Sequence, residues 1–266
     1  MNSYKIQFTL FTKMWPNKSL PELADFVAGL GVDGIELPVR PGYPVEPKNV
    51  VQGLPEAVKI LGDRGLKIGS LATGATPQAI DACAANGVPI IRTGVGIPED
   101  KMYLAAIEDC QREWDELVPR LERAGVIVGI QNHCDRCATH AMHLYHAVSK
   151  YDPRQIAAVW DPGHNGLQGE DIELALDVVW SHLCMVNLKN AYWKRMNGPE
   201  AKWAQWRPYW TAGRHGLSEW PKVAEELKRR GYEGDLCFSA EYSDEEQTDR
   251  LIVEDIAFAK EWFGPS

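Results

Sequence analysis

Apolar residues along this chain gather into eight short, nearly continuous runs: Ile6–Thr12, Gly34–Val39, Lys67–Thr73, Pro89–Gly94, Ile127–Asn132, Ala157–Asp161, Cys184–Lys189 and Asp235–Glu241. Runs without a polar alternation are the pattern of parallel strands covered on both faces. Between them lie longer segments with helical periodicity and recognisable ends. Ser19-Leu20-Pro21-Glu22 opens one with a capping box, in which a Ser side chain and a Glu three residues on satisfy each other's backbone donors. Gly31, Gly65, Gly87, Gly125 and Gly231 stand where later helices must stop, as suits the left-handed residue that ends a helix. Ser218-Glu219-Trp220-Pro221 and Asp244-Glu245-Glu246 are further helix starts, the last running to Phe263, with acids that complement the helix dipole.

Eight strand–helix units spaced roughly 20 to 50 residues apart are the arithmetic of a single (β/α)8 TIM barrel. A doubly wound open sheet is the rival, but no Gly-x-Gly-x-x-Gly follows the first strand. The longest gap holds an insertion at about 192–217, and five of the ten tryptophans lie in it or at its edge: Trp193, Trp203, Trp206, Trp210 and Trp220. Two readings stand open for these rings: a lid whose aromatic faces stack on a sugar, or a satellite core or contact between copies.

Composition narrows the partners. The chain has 266 residues, 45% hydrophobic and 24% charged, with a formal net charge of −9. That deficit of cations argues against nucleic acid, whose affinity comes mainly from neutralised phosphates. No apolar stretch is long enough to span a membrane. The segment Met1–Phe8 lacks the apolar centre of a secretory signal, and six cysteines are too sparse for a disulfide scaffold. A cytoplasmic protein is expected, with a homo-oligomer open.

In a barrel of this kind, function sits at the C-terminal ends of the strands. There the chain places Glu36, Arg92, Gln131-Asn132-His133, Asp161-Pro162-Gly163-His164, Asn187-Leu188-Lys189 and Ala240-Glu241. One such residue could merely cap a neighbouring helix; six positions converging favour a site. His133-Cys134-Asp135-Arg136-Cys137, followed by His140, His143 and His146, lacks the spacing of a zinc motif. A structural or surface role is expected, with a second metal site as the alternative; His133, at a strand end, stands apart from both.

These strand ends resemble the xylose isomerase-like TIM-barrel family, which includes sugar 3-epimerases, keto-inositol dehydratase and endonuclease IV. The strongest motifs are Asp161-Pro162-Gly163-His164 and the run of Gln131, Asn187 and Glu241 at matching intervals. The resemblance implies one divalent cation, Mn or Mg, held by strands five to eight through Glu, Asp, His and Glu. Here Gln131 and Asn187 replace the strand-five Glu and strand-seven His, leaving Asp161 and Glu241 as charged metal ligands. An oxygen-only set of lower charge favours Mg, Mn or Ca over Zn. A Gln cannot accept a proton, so two-carboxylate exchange is not available.

The implied activity is that of a sugar isomerase or epimerase, acting by proton abstraction beside a carbonyl of a sugar or keto-inositol. Glu241 is expected as base, with His164 and Lys189 as further catalytic groups. Glu36, Arg92, Gln131, His133, Asn187 and Arg214 are expected to bind substrate, Arg214 through an anionic group. The alternatives are a lyase or dehydratase on a similar substrate, and a non-catalytic sugar-binding or partner subunit.

Overall fold

A computed structural model describes residues 6–264; the first five residues of the opening segment lie outside that range. Eight parallel strands close a barrel: β1 (Ile6–Phe11), β2 (Gly34–Pro38), β3 (Lys67–Ala72), β4 (Ile90–Gly94), β5 (Ile127–Gln131), β6 (Ile156–Trp160), β7 (Leu183–Leu188) and β10 (Gly234–Phe238). Neighbours run β1-β10-β7-β6-β5-β4-β3-β2, with β1 also pairing β2 to complete the ring. All eight expected strands form, each within a few residues of its apolar run. Several lose their last polar residue, because Thr12, Asn132, Asp161, Lys189 and Glu241 have left the ladder to enter the rim loops.

Helices α1 (Leu20–Leu30), α2 (Val50–Gly62), α3 (Pro77–Asn86), α4 (Tyr103–Ala124), α5 (Ala141–Val148), α6 (Pro162–Leu167), α7 (Ile172–Val179), α8 (Trp220–Arg229) and α9 (Thr248–Phe263) connect or follow the strands. At the start of α1, Ser19 N–H donates to Glu22 Oε2 at 2.8 Å, as the capping box requires. Gly87 ends α3 at φ 69°, a backbone region that a side chain penalises. The main core lies between barrel and helices, with Leu10, Ile35, Leu37, Leu71 and Ile91 from the strands fully covered. A smaller cluster of Phe11, Ala72, Ile90, Val159, Met185 and Cys237 packs apart from it. Gly129 in β5 leaves room for this cluster, since a Cβ there would lie 2.6 Å from Val159 Cγ2.

The insertion is an antiparallel hairpin, β8 (Asn190–Arg195) with β9 (Trp206–Thr211). Asn190 ties its base down: its amide donates to Gly213 O and Ser218 O at 2.8 and 2.7 Å, while Oδ1 accepts from Ser218 N–H at 3.0 Å. Trp203 and Trp206 are exposed, Trp220 is buried against Phe238 and Phe258 with its Nε1 donating to Lys189 O at 3.4 Å, and the Trp210 ring lies beside the Lys189 ammonium. Among the described residues, no helix is long and apolar enough to cross a membrane.

Candidate active site

The strand ends surround a cavity of about 520 Å³, within the range of small-molecule sites. Its lining includes Phe11, Lys13, Arg40, Arg92, Gln131, His133, His164, Asn187, Lys189 and Glu241. Glu36 and Asp161 are fully buried beside this group rather than lining it.

Glu36 at the end of β2 has no water to solvate its charge, and three donors replace it. Arg92 forks onto it through Nε and Nη2, both at 2.6 Å, and Ser70 Oγ donates at 3.0 Å. Burial alone pulls the Arg92 pKa down, but the Glu36 carboxylate outweighs this and the net shift is upward. The guanidinium face lies 4.6 Å from the Phe11 ring centre. Glu36 was expected to touch substrate; it instead fixes Arg92, because a carboxylate buried this deeply must be paired.

The chain of contacts continues across the barrel. Arg92 Nη1 donates to Gln131 Oε1, and Gln131 Nε2 donates to Asp161 Oδ2 at 2.9 Å. Asn187 Nδ2 reaches the same oxygen at 3.3 Å. The other Asp161 oxygen caps α6, accepting Gly163 N–H at 2.9 Å and His164 N–H at 3.1 Å. Asp161 thus caps a helix and also joins the polar network. Burial pushes its pKa up to about 6, against the opposing charge of Lys189 and these N–H donors.

The far side of the cavity is ionic. Lys189 Nζ lies 2.6 Å from Glu241 Oε2, and Lys13 pairs with Glu241 Oε1. Burial raises the Glu241 pKa, but the two ammonium groups prevail and bring it down to about 2. Glu241 follows Ala240, whose φ of 52° places a non-glycine residue in the left-handed region. Such strain costs about 1–3 kcal/mol and collects at functional sites. Lys189 Nζ also sits 3.7 Å from the Trp210 ring centre. Gly163 keeps this corner tight, since a Cβ there would lie 2.6 Å from Lys189 O.

His164 is fully buried, with its ring 4.1 Å from that of His133 and 4.9 Å from Trp210. Its Nδ1 accepts Cys134 N–H at 3.0 Å, which puts the proton on Nε2. Nε2 lacks a partner among the described residues and lies 3.8 Å from Asp161 Oδ2. Burial, with the charges of Lys189, His133 and Arg92, holds the imidazole pKa well below its usual range. His164 is therefore a neutral N–H donor at neutral pH. His133 is also shifted down, chiefly by burial.

Four expected positions, Gln131, Asp161, Asn187 and Glu241, do assemble, but as they stand they do not fit a divalent ion. Both Asp161 oxygens, both Glu241 oxygens and Gln131 Oε1 already face N–H donors. Asn187 Oδ1 alone in this set lacks one, where Mg or Ca needs about six oxygen ligands. His133, Cys134 and His164 bring ligand atoms within 4.8 Å of one another. In that group both Nδ1 atoms are bonded to the Cys134 backbone, and burial pushes the thiol up to about 12. His140 and His143 instead bond Thr139, and Tyr103 packs on His143 and His146.

Arg214 stands apart from the cavity. It pairs with Glu261 at 3.5 Å and stacks 4.0 Å from the Phe258 ring centre, because the hairpin base turns it outward onto α9. Lys13 also lines the cavity, two residues beyond β1 and outside the apolar run that marks that strand in the sequence. Arg40 does so as well, two residues beyond β2.

No curated protein matches the chain by sequence. Residues 24–262 match the model described as xylose isomerase-like TIM barrel, and the chain belongs to that family. Among solved structures it is similar to the apo form of 3-keto-D-glucoside 4-epimerase, YcjR, from E. coli. The TM-score is 0.73 at 13% identity, covering 97% of this chain and 100% of that one. It is also similar to D-psicose 3-epimerase with D-tagatose from Clostridium cellulolyticum H10, with TM-score 0.71, 14% identity and coverage of 97% and 100%. A xylose isomerase domain protein from Planctomyces limnophilus gives 0.68 at 16% identity, covering 97% and 94%. At such identities the likeness speaks for the fold, and chemistry must be argued from the site.

Proposed function

We propose that this protein is a sugar isomerase- or epimerase-like enzyme that removes a proton from the carbon beside a carbonyl of a polyhydroxylated substrate, a sugar or keto-inositol. The observation that carries this reading is the convergence of the ends of all eight barrel strands on one cavity with Glu241 as the carboxylate in its lining. Glu241 takes the proton. Its carboxylate is held near pKa 2 by Lys13 and Lys189, so it becomes an effective base once bound substrate draws one ammonium to its own oxygens. Arg92, Gln131, His133 and Asn187 offer hydrogen bonds to hydroxyls, and the neutral His164 offers its Nε2–H. No step of this reading runs through a divalent ion.

One observation favours the non-catalytic alternative: both Glu241 oxygens are occupied by ion pairs. Incubation in D2O with a panel of ketoses, aldoses and keto-polyols separates the readings by mass spectrometry. Deuterium entering beside the carbonyl of at least one compound, and lost in Glu241→Gln, is the expected result. Loss of water following that exchange identifies the lyase. Binding without exchange, or neither, overturns the enzymatic reading.

A further inference from the structure

We propose that the Lys189 ammonium is the resident cation of this site, standing where the family resemblance calls for a divalent ion and polarising the substrate carbonyl in its place. The polarising role rests on the function proposed above; the displacement of metal does not.

The first support is the donor set. A metal centre needs oxygens with free lone pairs converging on one point. Here the Asp161 and Glu241 oxygens are turned onto N–H groups, and Lys189 lies between the Asn187 strand end and Glu241 at 2.6 Å from the carboxylate. Second is charge. Around the floor three cations, Lys13, Arg92 and Lys189, meet three carboxylates, Glu36, Asp161 and Glu241. A doubly charged ion in place of the ammonium would leave this low-dielectric region one charge positive, whereas the ammonium leaves it balanced. The third support is how firmly the lysine is built in. Lys189 is 7% exposed, its ammonium rests on the Trp210 face, and its carbonyl accepts Trp220 Nε1–H at 3.4 Å in space that a side chain at Gly163 would fill.

An ammonium carries three donors. Glu241 takes one, and the cavity lining leaves the others within reach of a bound oxygen. When Glu241 accepts the proton from carbon, the released electron pair forms the carbon–carbon double bond of an enediolate, and the carbonyl oxygen takes the negative charge. Lys189 stabilises that oxygen by charge and hydrogen bond, as an oxyanion hole does. Return of the proton from Glu241 to the same carbon regenerates the substrate; return to the neighbouring carbon, with the hydroxyl proton passing to the former carbonyl oxygen, gives the isomeric carbonyl compound.

Mn(II) is the probe for the test. Wild-type protein, Lys189→Ala and Lys189→Arg are each titrated with Mn(II) to about 1 mM and followed by electron paramagnetic resonance, a range that covers weak carboxylate sites. The expected result is no stoichiometric uptake by wild type or Lys189→Arg. At least about tenfold stronger uptake is expected in Lys189→Ala, where two carboxylates have lost a competing cation. One equivalent bound by wild type overturns the proposal, and needs no variant to fold. Unchanged weak uptake in folded Lys189→Ala also overturns it. In the deuterium assay, wild-type exchange should survive chelator and fall by about a hundredfold or more in Lys189→Ala, as for loss of an oxyanion donor. Exchange abolished by chelator contradicts the proposal while leaving the isomerase reading intact. Absence of exchange with every compound defeats that reading, yet the Mn(II) result still decides the cation.

Discussion

Asp235, one residue into β10, and Glu241, three residues beyond its end, are carboxylates on the same stretch of chain at opposite rims of the barrel. Asp235 borders a hollow with Gln7, Lys67 and Gly69, and its pKa is pushed up to about 6, chiefly by burial and then by the charges of Glu36 and Asp33. Glu241 feels burial too, yet is brought down to about 2 because two ammonium groups face it. The difference teaches that neither depth nor strand decides protonation here. What decides it is whether the opposite strands deliver cations to that rim, as Lys13 and Lys189 do above and Lys67 only weakly does below.

The largest effect separating the two acids is on turnover. Glu241→Gln should cut deuterium exchange by about 10²–10⁴-fold, the usual contribution of a general base, while Asp235→Asn leaves it unchanged. Equal losses would break the comparison. A smaller effect comes from the corner that seats Lys189. Gly163→Ala should lower stability by about 1–3 kcal/mol, read as a drop in melting temperature, because the Cβ meets the Lys189 carbonyl carbon and oxygen.

The pH dependence of stability has opposite signs at the two rims. For Glu241 the folded pKa lies below the ordinary 4.5, so its stabilisation is present above that value and is lost as pH falls toward 2. For Asp235 the folded pKa lies above 3.8, so its ionisation costs stability increasingly as pH rises from there through about 6. Asp235→Asn should therefore raise the melting temperature by about 2–4 °C at pH 7.5, for a gain near 1 kcal/mol. The gain should shrink as the pH is lowered from 6 to 4. A constant gain would remove titration as its cause. Least of all, Arg214→Ala should change stability by no more than about 0.5 kcal/mol and leave exchange intact, since its ion pair with Glu261 is exposed and it stands apart from the cavity.

Much of this protein was legible as sequence. The eight strands, their order and the polar residues at their ends follow from local pattern, because an apolar run, a capping box or a terminal glycine acts over a few residues. The capping box at Ser19 and the glycine ends of α1, α3 and α4 all formed. Asp161-Pro162-Gly163-His164 was read as a strand end with chemistry. Its second identity as the start of α6 needed the short helix to be seen. The hairpin's position was legible too, but not which of its tryptophans would turn inward.

What only the tertiary structure decided is pairing. That Glu36 turns onto Arg92, that Arg214 faces Glu261, and that Asp161 is wrapped in amides could not be read from spacing. Lys13 and Glu241 meet across 228 residues of chain. Charge, protonation and metal preference depend on distances of a few ångströms across the barrel. Periodicity reports which face of an element is apolar and carries no information about what another strand brings to meet it. The amino-acid pattern thus determined the barrel and the rim on which its chemistry would gather, and closure of the barrel determined which cation each acid would face.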